Sequence, residues 1–189
     1  MRTRSPSLWP LLPLTLLAAL SFWLERSISP ETHGNAAARH DPDFWVDNFS
    51  VKRFGPDGKP QNTLWGLKMT HFPDDDSTLI SNPKLTYYRD QPVELSAAIG
   101  LVGKDGKQIA LVNNVKIVRQ GRDGGAPVIV DTATLTIYPD TEQARAESKV
   151  LMRQGKSVIS GSAMDIDNRT GVSVLHGPVI GTIQPYKRP

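Results

Sequence analysis

The chain has 189 residues and carries 22 Lys and Arg against 19 Asp and Glu, a net charge of +3. Both signs are scattered with no basic run, which excludes a nucleic-acid footprint. The complete absence of cysteine excludes disulfides, cysteine metal sites, thiol nucleophiles and an acylated lipoprotein.

The first element is apolar. Leu8 to Leu24 contains no charge and is rich in Leu, Ala and Trp. At about 1.5 Å per residue it spans roughly 25 Å, near the lower limit for crossing a ~30 Å hydrocarbon core. Pro10 and Pro13 fall in its first turns, where proline is best tolerated. Arg2 and Arg4 precede it, while Arg26 is offset by Glu25 and Glu31. That bias places residues 1–7 in the cytoplasm and the rest of the chain outside. A cleaved signal needs small residues directly after the apolar run. Here the run ends in "SFWLER", and Ala36, Ala37 and Ala38 come too late. Residues 8–24 are therefore expected to form a retained transmembrane anchor. Residues 25–43, without periodicity, are expected to be a linker.

From Phe44 the pattern becomes one of short alternating stretches: "KLTYY", "VELSAA", "VKIVR", "ATLTIY", "SAMDID" and "VSVL". Turn signals separate them: "GPDGK", "GKDGK", "QGRDGGAP", "YPDTE", "RQGKS" and "DNRTG". Period two with frequent turns predicts an almost all-β domain over 44–184, with a dozen or more short antiparallel strands and a tail at 185–189. The best helix candidate, "DTEQARAES", reads as a turn and a short strand because its neighbours keep period two. Alternation turns Leu135, Ile137, Val115, Ile117, Met164 and Ile166 inward. Thr134, Thr136, Lys116, Asp165 and Asp167 face out. A filled sandwich core and a lipid-lined groove share this parity, so alternation alone leaves both open.

A weak repeat runs through the domain. A leucine is followed four residues later by valine at Leu111/Val115 and Leu175/Val179, and a looser copy ends at Val150. Stacked strand pairs of this kind leave terminal edges that must be covered or used.

Catalytic chemistry finds few residues. His33, His40, His71 and His176 are isolated, without metal-ligand spacing. The acidic run in "HFPDDDST" invites calcium, but adjacent carboxylates on an extended chain diverge and no downstream glutamate completes a loop; a polar turn is the better reading. No Gly-x-Ser-x-Gly elbow or glycine-rich phosphate loop occurs. The chain reads as a non-enzyme without cofactor or metal.

Taken in order, "FGPDGKPQNTLWGLKMTHFPDDDSTLISNPKLTYYRD", "LVNNVKIVR", "DTATLTIYPDTEQARAESKV" and "VISGSAMDIDNRTGVSVLHGPVIGT" resemble the LptC family of lipopolysaccharide export proteins. The resemblance covers essentially the whole chain. It implies a twisted open β-jellyroll like that of LptA, preceded by one transmembrane helix in the inner membrane. It also implies an apolar interior that takes lipopolysaccharide from the LptB2FG ABC transporter and passes it to LptA in the periplasm.

By parity and family position the groove would be lined by Phe49, Val51, Ile80, Leu85, Tyr87, Leu111, Ile117, Leu135, Ile137, Met152, Met164, Ile166, Val174 and Ile183, some serving only as packing. Gly58 and Gly155 match turn glycines of the family, for which a turn requirement alone is sufficient. Phe44 to Phe54 would face the transporter and Val172 to Ile183 would face LptA. Pro178 removes a ladder donor, so pairing in that last edge is expected from Val179 onward. Two other functions fit the same pattern: a membrane-tethered β scaffold that binds only proteins, and a processed periplasmic shuttle resembling LptA.

Overall fold

The computed structural model describes residues 11–28 and 40–184, which fall into two separate units divided between Arg39 and His40. In the first, Leu11–Ile28 forms helix α1 with exposed side chains, among them Leu16, Leu17 and Trp23. The helix runs past Leu24 and takes in Glu25 and Arg26. Among the described residues no helix is long and apolar enough to cross a membrane. Of the expected span over 8–24, residues 11–24 are helical, and residues 8–10 lie outside the described residues.

The second unit is built of antiparallel strands. In chain order they are β1 (Phe44–Phe54), β2 (Pro60–Phe72), β3 (Ser77–Ser81), β4 (Lys84–Tyr87), β5 (Val93–Ser96), β6 (Ile99–Val102) and β7 (Ile109–Arg119). There follow β8 (Val128–Tyr138), β9 (Gln143–Ala146), β10 (Val150–Gln154), β11 (Ser157–Gly161), β12 (Ala163–Asp167), β13 (Val172–His176) and β14 (Ile180–Thr182). The turn signals of the sequence sit between strands. The helix candidate resolves into a short 3₁₀ turn, Pro139–Thr141, and strand β9.

All fourteen strands belong to one hydrogen-bonded network, but their register divides it into two layers. In the first, the leading half of β1 pairs with the end of β2, followed by β3, β6, the start of β7, the end of β8, β9, β12 and β13. In the second, the trailing half of β1 pairs with the start of β2, then β4, β5, the end of β7, the start of β8, β10, β11 and β14. The long strands β1, β2, β7 and β8 pass from one layer to the other.

The crossings explain the sequence repeat. β7 crosses at Asn113 and Asn114, both at positive φ, where its ladder with β8 is bulged. β9 gives way to β10 between Ala146 and Val150, and β13 to β14 around Gly177 and Pro178. In each copy the residue before the crossing belongs to one layer and the valine after it lies at or next to the other. Asparagine tolerates the left-handed region better than most residues, and bulges of this kind re-aim a strand. Backbone bonds bridge the seam: Asn82 N–H donates to the Ala98 carbonyl and Ala98 N–H to that of Asn113, both at 2.8 Å.

Residues from both layers join a single core. Leu95, Val115, Val130 and Val150 from the second pack with Leu111, Leu135, Ile137 and Met164 from the first. Each such side chain contributes roughly 1.5–3 kcal/mol on burial.

Candidate lipid groove

Residues side by side across a ladder share a face of the sheet. In the second layer one such row reads Val51, Leu64, Leu85, Leu95, Ile117, Val130, Met152, Ile159 and Gly181, each paired with the next. The row crosses nine strands without a polar residue. In the first layer the facing rows are Val46, Met69, Ile80, Gly100, Leu111 and Leu135, and then Ile109, Ile137, Ala144 and Ile166.

Burial is graded along these rows. At their centre Leu95, Leu111, Val130 and Leu135 are buried. At the β1 end Val46 and Val51 are exposed, and at the other end Gly181 is exposed. The interior is thus filled in the middle and apolar but open at both ends. A surface depression lined by Asn113, Asn114, Lys116, Asp131, Lys149 and Ser160 lies on the opposite face of the second layer.

The residues expected from parity fall as follows. Phe49, Ile80, Leu111, Leu135, Ile137 and Met164 are buried, while Leu85, Tyr87, Ile117, Met152 and Ile166 are half-buried on the same faces. Burial pushes the Tyr87 phenol up, so it stays neutral. Two assignments change. Val174 stands opposite Asp165 in a row with Arg145 and Thr136, which is the outer face; its neighbour Leu175 pairs with Met164 and packs on the core. Alternation within "VSVLH" was compatible with either register, and only pairing with β12 decides it. Ile183 lies beyond the end of β14 and is exposed.

Gly58 and Gly155 both sit at positive φ (73° and 57°), in the β1–β2 and β10–β11 turns. A Cβ at Gly58 would meet nothing within 4 Å, so conformation rather than space selects glycine there.

The two edges differ. Among the described residues β1 pairs only with β2, so Phe44–Phe54 is an open edge that exposes Trp45, Val46, Val51 and Phe54. The expected C-terminal edge is not one strand. β13 pairs with β12 in the first layer and β14 with β11 in the second. Pro178 lies between them, and pairing resumes at Ile180.

The acidic run sends its three carboxylates to three partners. Asp74 Oδ2 lies 3.0 Å from His40 Nδ1, Asp75 Oδ1 accepts the Ser77 N–H at 3.0 Å, and Asp76 Oδ1 lies 3.2 Å from His71 Nε2. His40, Asp74 and Asp75 bring oxygen and nitrogen atoms within 4.8 Å of one another. All three are exposed, and such a cluster defines no site by itself.

An antiparallel domain of this construction, two layers sharing long bent strands around an apolar interior open at its edges, is an open β-jellyroll. Its fold is similar to that in a crystal structure of LptH, the LptA-homologous periplasmic component of the lipopolysaccharide transport device from Pseudomonas aeruginosa. The TM-score is 0.52 at 9% identity, over 66% of this chain and 95% of that one. No curated protein matches the sequence. Residues 11–184 match the family described as lipopolysaccharide-assembly, LptC-related, and the chain belongs to that family.

Proposed function

We propose that the β domain carries the acyl chains of lipopolysaccharide between its two layers, receiving them from the LptB2FG transporter and passing them to LptA. The observation that carries this reading is the apolar row from Val51 to Gly181, continuous across nine strands, whose two end residues are exposed. Each CH₂ kept from water is worth about 0.8 kcal/mol. Exposing one chain of about twelve carbons would therefore cost on the order of 10 kcal/mol, and a continuous apolar path removes most of that. Because the centre of the rows is filled, the layers part as lipid enters. The chain performs no catalysis of its own in this scheme.

Open edges supply the joins. Backbone pairing to another chain's strand gives affinity without demanding particular side chains. β1 would face the transporter's periplasmic domain. The C-terminal edges β13 and β14 would face LptA, each extending one layer so that the interiors align. The apolar stretch 8–24, the described part of which is helical, would hold the protein at the inner membrane with the β domain in the periplasm.

The test places a photoreactive amino acid at Ile137 in living cells, with Thr136 as the outward control and Ile117 as a second inward probe. Lipopolysaccharide adducts at Ile137 and Ile117 but not at Thr136 are the expected result. Silence at both inward positions in folded, expressed protein would mean a closed core and a scaffold that binds only proteins.

A further inference from the structure

Just ahead of β1, His40–Asp43 forms a short arm that lies against the β2–β3 turn. His71, near the end of β2, stands between them. Its Nδ1 lies 2.8 Å from Asp43 Oδ1 on the arm and its Nε2 3.2 Å from Asp76 Oδ1 on the turn. The ring is largely covered, and Phe44 stacks on it with centroids 4.9 Å apart.

Both partners are carboxylates, which only accept. A neutral imidazole has one N–H and one lone pair, so it can donate to one of them and must point its lone pair at the other. Both contacts are satisfied together only by the imidazolium. The remaining ties of the arm are few. Asp43 N–H donates to the His71 carbonyl at 3.2 Å, and His40 stacks on Phe72 at 3.9 Å while contacting Asp74.

We propose that His71 is a charged clamp that pins the arm His40–Asp43 to the β2–β3 turn, and that loss of its second proton loosens the arm and the first residues of the open edge strand β1. The groups facing the ring are Asp43 from the arm and Asp76 from the turn. Its ladder neighbours, Phe44 and Thr78, are uncharged. Asp41, Asp74 and Asp75 surround His40 at the same end.

The two hydrogen-bonded carboxylates, Asp43 first and then Asp76, raise the His71 pKa, and His71 holds the Asp43 carboxyl low. The sign follows from linkage. The His71 contribution is complete below the ordinary histidine value and is lost as pH rises through the raised one. The Asp43 contribution is lost as pH falls through its lowered value. The clamp is closed between these limits and opens on the alkaline side. It stands whether or not the interior carries lipid.

The experiment is amide hydrogen exchange on the full chain in nonionic detergent, from about pH 6 to about pH 9, spanning the imidazole range. Protection is corrected for intrinsic exchange, with β12 amides as the reference. Protection at Asp43 and the start of β1 should fall with rising pH in the wild type, by about tenfold for each unit the clamp adds to the His71 pKa. His71→Gln should be weakly protected throughout. Asp76→Asn, which leaves the ring in place, should lower the midpoint of the fall. A flat wild-type profile, or an unchanged midpoint in Asp76→Asn, overturns the proposal.

Discussion

The Phe49 ring lies on the bare backbone of Gly66, its partner across the β1–β2 ladder: a Cβ at position 66 would stand 2.6 Å from Phe49 Cε1 and 2.9 Å from Ile80 Cγ2. The strands come together here because one of them has no side chain. Gly66→Ala should destabilise the domain by about 1–3 kcal/mol, the usual cost of overpacking. Adding Phe49→Leu should recover part of that loss, because the smaller side chain vacates the contested space. Chemical denaturation of the single and double variants measures both effects. A neutral Gly66→Ala would show that the ring does not rest there.

Ser148 stabilises the change of layer between β9 and β10. Its hydroxyl lies 2.8 Å from Thr132 Oγ1 and 3.0 Å from Thr134 Oγ1, and it accepts the Thr134 N–H at 3.1 Å. Thr132 is a buried polar residue. Removing the hydroxyl leaves the Thr134 N–H without its acceptor, and Thr132 Oγ1 keeps the Thr134 carbonyl at 3.3 Å. Ser148→Ala should cost about 1–3 kcal/mol, read as a drop in denaturation midpoint. A loss indistinguishable from zero would mean that water replaces the hydroxyl freely.

Much of this fold was legible before any coordinates. Turn signals such as "GPDGK" and "RQGKS" mark strand ends because positive φ and proline punctuate the chain locally. Alternation likewise separates Ile137 from Thr136 using nothing beyond nearest neighbours. What escaped was non-local. The spacing of Leu111 and Val115 was visible as a repeat, but that it marks a passage between layers depends on which residues of β6 and β8 they pair with. The face of Val174 depends on its register with β12. The division of the C-terminal edge into β13 and β14 depends on two different partners, β12 and β11. The His71 clamp was equally hidden. "HFPDDDS" showed the acids, but Asp43 reaches the ring only through the pairing of β1 with β2.

The assignment of Val174 to the outer face has a direct consequence. Val174 is exposed and sits across from Asp165, whereas Met164 is buried beside Leu175. Val174→Lys should leave stability within about 0.5 kcal/mol, as for other surface changes. Met164→Ala should cost about 2–5 kcal/mol. Thermal denaturation of the pair decides it. A Val174→Lys variant as damaged as Met164→Ala would return Val174 to the interior.

On the same outer face, Asp165 joins the strands at the C-terminal edge of the first layer. Its Oδ1 accepts from Arg145 Nε on β9 at 2.7 Å, and its Oδ2 lies 2.8 Å from His176 Nε2 on β13. The Arg145 guanidinium, and after it His176, hold the Asp165 carboxyl below the usual carboxylate range. A lowered folded value means a contribution present above the ordinary aspartate pKa and lost as pH falls through the lowered one. Wild type and Asp165→Asn should therefore differ most at about pH 5 and above, and converge toward about pH 2. Urea denaturation of both proteins across that range checks it. Because all three side chains are partly exposed, added salt should narrow the gap at the upper end. A gap that persists undiminished into acid would show that Asp165 acts through packing or neutral hydrogen bonding rather than charge. The edge strand β13 would then be held to its layer by the ladder alone.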